Sequence, residues 1–247
     1  MKIVPLSEGT FTVDKTKMFV PFNEEQDRLQ HRPVGSLLVE IQPFVVITPK
    51  DVLLLDTGLG FEKNDVLQLH QNLMDNGIKP TDVTKVLLSH LHKDHAGGIG
   101  RRVSSGDWQL NFPSAKYYLQ ERELNAALQK GAPSFNSDEL EVLMRSENIG
   151  LLKEDRGMIG AEISFELTAA HSRYHQVFWI KSQGDTVFFG GDDAPQLQQM
   201  KHRFVTKYDY DGKKTMELRR QWWIQGEKEK WTFLFYHDVK NAVYSFK

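Results

Sequence analysis

Three histidines and an aspartate fall within six residues, at His90, His92, Asp94 and His95. They follow the apolar run Val86-Leu87-Leu88, which reads as a buried β-strand, and they precede Ala96-Gly97-Gly98. Residues i and i+2 of an extended segment point the same way, so His90 and His92 can grip one ion. Asp94 and His95 come where the chain must turn and can face a second ion beside the first. The small residues after them let backbone crowd the site and let the next helix pack close. Imidazole with carboxylate suits zinc, and also manganese, iron or cobalt.

Four ligands cannot fill two coordination spheres. The second half of the chain offers more at the ends of apolar runs: His171, Asp192 after Phe188-Phe189-Gly190-Gly191, and His237-Asp238 after Trp231 to Tyr236. Ligands delivered by buried strands to a sheet edge are typical of α/β sites. Spacing alone does not choose between His171 and His175.

The chain has 247 residues, enough for one large domain or two fused halves. It contains no cysteine, which excludes disulfides, thiolate ligands and a cysteine nucleophile together. A net charge of -2, with mixed signs, gives no reason to expect nucleic acid as a partner. No apolar run approaches the ~18 residues of a membrane span, and the first residues do not read as a signal peptide. A cytoplasmic location is the expectation; oligomeric state is open.

Strands are expected within Val34–Ile47 (two, with a turn at Gln42-Pro43) and at Val52–Leu55, Val86–Leu88 and Lys116–Leu119. Others are expected at Ile163–Leu167, Gln176–Ile180, Thr186–Phe189 and Trp231–Tyr236. Helices are expected at Asn64–Asn76, with Asn64 as cap and Val66, Leu69 and Leu73 on one face, and at Glu121–Lys130, Ser137–Asn148 and Gly212–Gln225. The alternation predicts a layered α/β protein, with its halves meeting near Gly150 to Gly160.

Together these residues resemble the metallo-β-lactamase superfamily. Its His-x-His-x-Asp-His signature stands as His90-Leu91-His92-Lys93-Asp94-His95, preceded by Asp56-Thr57-Gly58 and followed by His171, Gly191-Asp192 and His237. The resemblance implies a four-layer αββα sandwich: a single domain made of two halves, about 1–150 and 151–247. It implies that His90, His92 and His171 hold one metal, that Asp94, His95 and His237 hold the other, and that Asp192 bridges them. Two divalent ions, zinc first, are the implied cofactors. Asp56 would orient a ligand imidazole. Asp94, among the metals, is the expected catalytic group that takes or returns a proton.

Within the superfamily the chain looks most like quorum-quenching lactonases and methyl parathion hydrolase-like enzymes, through His237-Asp238, Phe112–Tyr118 before Gln120-Glu121, and Tyr208-Asp209. It departs from them at Ala169-Ala170, where Pro-Gly is usual, and at Tyr174, where a glycine is common. Pro195 stands where some lactonases carry a tyrosine three residues after the bridging aspartate. Hydrolysis of a small ester-like substrate, with a lactone such as an acyl-homoserine lactone first, is the leading expectation. The alternatives are phosphoester or phosphotriester cleavage, or a mononuclear-iron persulfide dioxygenase-like oxidoreductase.

Other conspicuous residues have plainer readings. His70 reads as packing, His175 as structural, and His31 and His202 as surface. Tyr236 should be turned away from the metals by the strand pleat. Asp209 to Gly212 reads as a turn into a helix. Arg219 and Arg220 read as a solvated face over the aromatic pair Trp222 and Trp223. Phe22, Phe112 and Phe135 fall in expected loops, packed beneath them or shaping a pocket.

Overall fold

A computed structural model describes residues 1–64 and 66–246. The chain opens with β1 (Lys2–Pro5) and a small antiparallel sheet of β2 (Gly9–Val13), β3 (Phe19–Pro21) and β4 (Leu37–Ile41), in the order β3-β2-β4. Then come β5 (Phe44–Ile47), β6 (Val52–Leu55), helix α1 (Gln68–Asp75), β7 (Lys85–Leu87) and the one-turn helix α2 (Lys93–Ala96). A hairpin of β8 (Gly100–Arg102) and β9 (Trp108–Leu110) leads to β10 (Lys116–Gln120), α3 (Glu121–Lys130), α4 (Ser137–Met144) and β11 (Ile149–Leu152). The remainder is β12 (Arg156–Ile159), β13 (Ile163–Leu167), β14 (Gln176–Ser182), β15 (Asp185–Phe189), α5 (Leu197–Lys201), α6 (Gly212–Glu229), β16 (Thr232–Leu234) and β17 (Val243–Ser245).

Two six-stranded sheets result, ordered β1-β5-β6-β7-β10-β11 and β12-β13-β14-β15-β16-β17. In the first, the pairs from β6 to β11 are parallel. The second is antiparallel except where β15 meets β16. The pleat sorts the side chains. Val45, Leu54 and Val86 face Leu69, Leu73, Leu124 and Leu143 of the helices in one core. Their neighbours Phe44, Val46, Leu53, Leu55 and Leu87 face Phe165, Phe178, Val187, Phe189 and Leu234 across the seam between the sheets. Phe188, one residue on from Val187, points outward to Trp222 and Trp231. Helix, sheet, sheet and helix are therefore stacked as four layers, and each fully buried Leu or Phe contributes roughly 1.5–3 kcal/mol. Among the described residues no helix is long and apolar enough to cross a membrane.

Some expected boundaries move. The helix expected over 64–76 begins only at Gln68, and Asp65 lies outside the described residues. Asn64 adopts φ +53 in the turn of a short hairpin pairing Glu62–Lys63 with Val66–Leu67, so it caps nothing and Val66 is exposed. Leu69 and Leu73 still face the core. Helix α4 stops at Met144, while α6 runs four residues past Gln225 to Glu229 and is capped by Lys230, which adopts φ +58. Strands β1, β2 and β3 have no counterpart in the sequence reading, because their short segments lack a sustained apolar alternation.

Candidate metal centre

The C-terminal ends of β6, β7, β13, β15 and β16 all lead to one rim of the sandwich. Asp56, Ser89 to His95, His171, Asp192 and His237 follow those strands in that order. Asp56 leaves β6 with φ +56 and is fully buried. Its Oδ1 accepts the Ser89 N–H at 2.7 Å, and its Oδ2 accepts the Ser89 hydroxyl at 2.7 Å and His95 Nδ1 at 2.7 Å. Two glycines make the crowding possible. A Cβ on Gly98 would sit 2.2 Å from the Thr57 carbonyl oxygen, and one on Gly191, at φ +48, would sit 2.6 Å from Ser89 Oγ.

The donors expected from sequence converge as two clusters. His90, His92, His171 and Asp192 each offer a ligand atom within 4.8 Å of the others, and so do Asp94, His95 and His237. Asp56, His90 and His95 also meet that distance, but the Asp56 carboxylate is committed to Ser89 and His95. Asp192 stands between the clusters. Its Oδ1 lies 3.1 Å from His95 Nε2 and 3.0 Å from His237 Nε2; its Oδ2 lies 3.2 Å from His171 Nε2. The buried Oδ1 has no hydrogen-bond partner.

Partners on the far ring nitrogen set the tautomers. Nδ1 of His95 faces Asp56, Nδ1 of His171 faces Asp209 at 2.9 Å, and Nδ1 of His237 faces the Glu40 carbonyl at 2.7 Å. The Ser89 hydroxyl donates to Asp56, so His90 Nδ1 donates to Ser89 Oγ at 3.1 Å. Each of these rings thus turns an Nε2 lone pair inward, the arrangement that imidazole ligands need. His92 instead presents Nδ1, 2.9 Å from His90 Nε2.

The electrostatics are polarised. Burial and neighbouring imidazoles hold His90 and His92 well below the ordinary imidazole range. Burial works the same way on His95, His171 and His237, but nearby carboxylates, Asp192 foremost, outweigh it and raise all three. Burial would raise Asp192, yet His237, His95 and His171 hold its carboxyl well below the usual range. A buried set of convergent imidazoles and carboxylates fits divalent cations of the zinc type.

His175 is fully buried; its Nδ1 lies 3.0 Å from Asp193 and its Nε2 accepts the Asp192 N–H at 3.2 Å. His70 contacts the Asn111 carbonyl and the edge of Phe112. Phe112 is core, Phe135 packs 5.3 Å from the His92 ring, and Phe22 lies elsewhere, under Arg32.

Three plain readings need correction. Tyr236 is not turned away: β16 ends at Leu234, the pleat is lost, and the ring stacks on His95 at 4.0 Å. Its hydroxyl donates to the Asp94 carbonyl at 2.6 Å. Arg219 is buried rather than solvated, with Nε donating to the Asp193 carbonyl at 2.6 Å and the guanidinium 3.8 Å from Asp209. Asp209 does precede a helix, but it also aligns His171. Only the tertiary fold brings it there, since 38 residues separate the two.

A cavity of about 240 Å³ opens above the clusters. His92, Asp94, His171, Asp192 and His237 form its floor, and Val13, Phe19, Leu37 and Val39 of the small sheet form an apolar wall. Tyr208 lines it beside His171. Pro195 lies buried, its carbonyl accepting the His237 N–H at 3.0 Å.

Comparison with solved structures agrees with this architecture. A probable metal-dependent hydrolase from Staphylococcus aureus superposes with a TM-score of 0.79 at 20% identity, over 99% of this chain and 91% of that one. AidC, a dizinc quorum-quenching lactonase solved with a product, gives 0.71 at 18%, over 98% and 91%. The hydrolase AbOPH gives 0.72 at 22%, over 99% and 90%. No curated protein matches the chain. The family model described as the metallo-beta-lactamase superfamily matches residues 39–199, a stretch that holds every clustered donor except His237. The paired donor clusters at the rim of a four-layer sandwich and that match make the chain a member of the metallo-β-lactamase superfamily of metal-dependent hydrolases.

Proposed function

We propose that the chain is a two-metal hydrolase of a small ester-like substrate, with a lactone such as an acyl-homoserine lactone as the first class to assay. His90, His92 and His171 would hold one ion, Asp94, His95 and His237 the other, and Asp192 would bridge them. The observation that carries this reading is the Asp192 carboxylate, which turns one oxygen to each cluster. Two clusters favour it over a mononuclear iron site. Zinc suits the donor set, and the lactonase among the structural neighbours supports the substrate class.

When bound, such ions polarise the electrophile's oxygen and lower the pKa of water toward neutrality. The residues supply the rest. Asp56, Asp209 and the Glu40 carbonyl hold three imidazoles in one tautomer. Asp94 is placed on the cavity floor to accept a proton and return it to the leaving oxygen. The apolar wall holds the acyl arm and limits water.

Metal analysis after reloading with zinc or manganese should give about two ions per chain, and chelation should abolish hydrolysis. Parallel assays on an acyl-homoserine lactone, a thioester and a phosphotriester identify the substrate class. Absence of stoichiometric metal after reloading refutes the reading. Asp209→Asn weakens the orientation of His171 without removing a ligand. It should lower metal affinity roughly ten- to a hundredfold, measured by competition with a chromogenic chelator.

A further inference from the structure

The outer wall of the cavity is strongly cationic. Lys15, Lys17 and Lys93 line it, against one carboxylate of that wall, Asp14. Asp14 accepts the Thr16 N–H at 2.8 Å and the Thr16 hydroxyl, and its charge offsets part of that of the neighbouring Lys15, leaving the wall with a positive excess. Among the described residues no hydrogen bond or ion pair engages the ammonium groups of Lys15, Lys17 or Lys93. Lys93 Nζ lies 5.8 Å from the Phe19 ring, over the apolar wall.

The backbone fixes this arrangement. Lys15 and Lys17 sit in the turn between β2 and β3, closed by the Lys17 N–H on the Asp14 carbonyl at 3.0 Å. Lys17 adopts φ +60, a conformation glycine takes far more readily. A lysine there keeps a positive charge at the cavity mouth, close enough to bear electrostatically on His92. The floor and the mouth therefore have different tasks. The floor carries the donor clusters, the apolar wall flanks it, and the three ammonium groups line the same cavity beside that wall.

We propose that the substrate's acyl arm ends in an anionic group, a carboxylate or a phosphate, received by Lys15, Lys17 and Lys93. This rests on the hydrolase reading above and narrows its substrate class from neutral acyl esters to acidic ones. Ammonium groups at a cavity mouth raise the local concentration of anions and bind them in a salt-dependent way.

The test uses the metal-loaded protein and matched 4-nitrophenyl esters, the hexanoate and the adipate monoester, which differ in the end of the arm. Wild type should prefer the adipate by about tenfold in kcat/KM at low salt, with the preference shrinking as salt rises. Lys15→Gln with Lys17→Gln should cut the ratio at least about threefold through a higher KM for the adipate, the remainder being held by Lys93. Lys153→Gln, on the surface away from the cavity, should leave the ratio unchanged. The 4-nitrophenyl ester of 6-phosphonohexanoic acid separates a phosphate preference from a carboxylate one.

Calorimetry with adipic acid monoamide and hexanamide reads binding without turnover. The monoamide should bind more tightly, and the double substitution should shrink the difference. Equal binding of the two amides, or a difference that the double substitution leaves intact, overturns the proposal whether or not any ester is cleaved. If the binding difference is present but no ester is cleaved, the hydrolase reading fails and the anion-binding wall stands.

Discussion

Asp192→Asn is expected to lower kcat/KM by about a thousandfold, several kcal/mol of transition-state stabilisation, and to leave the protein with fewer than two ions. The side chain keeps its shape, so the sandwich should be undisturbed. What changes is charge and lone pairs. Each carboxylate oxygen faces imidazole nitrogens, with Oδ1 near His95 and His237 and Oδ2 near His171. An amide nitrogen in either position turns hydrogens toward the site where a ligand oxygen is needed. The far-side partners of those rings already fix their tautomers, so the loss cannot be repaired by ring rotation. Metal analysis after dialysis and steady-state kinetics on the same preparation check both parts. Full metal occupancy with wild-type kinetics would remove Asp192 from the bridging role.

The second large effect concerns stability. Phe189→Ala should lower the unfolding free energy by about 3–5 kcal/mol, read from denaturant titration at constant slope. Phe189 is fully buried in the seam between the sheets, 6.3 Å from the Phe44 ring and 6.4 Å from Tyr236. Surrounding strands are held on both sides by backbone pairing, so the void cannot collapse. Tyr236 would lose a neighbour while still stacked on His95. Val243→Ala, half exposed on the edge strand β17, should shift stability by no more than about 0.5 kcal/mol. A comparable loss from both substitutions would mean that the seam is not tightly packed.

Much of this organisation is legible in the chain because it is written in local patterns. Val52–Leu55 and Phe188-Phe189 are short apolar runs, and the pleat alone decides which residues face a helix and which face the other sheet. The His90 to His95 stretch announces its chemistry through residue type and spacing. What stays hidden depends on tertiary geometry. Nothing near Asp209 signals that it will meet His171, and nothing in α6 signals that Arg219 will be drawn under Asp193. The apolar run that ends in Tyr236 outlasts its strand by two residues, and one lost pleat reverses a side chain. Asn64 looks like a helix cap, but its positive φ serves a hairpin instead. Nothing near Lys15 and Lys17 in the chain signals that the β2–β3 turn will line the cavity.

The distribution of donors between the halves has a mechanical meaning. His90, His92, Asp94 and His95 come from the first sheet's side, while His171, Asp192 and His237 come from the second. Cations lodged among them would act as rivets through the two slabs. Loading would stiffen the whole sandwich, because ions that bind only the closed slabs pull the folding equilibrium toward them. Prising the slabs apart would in turn release the cargo, tying heat resistance to the supply of metal.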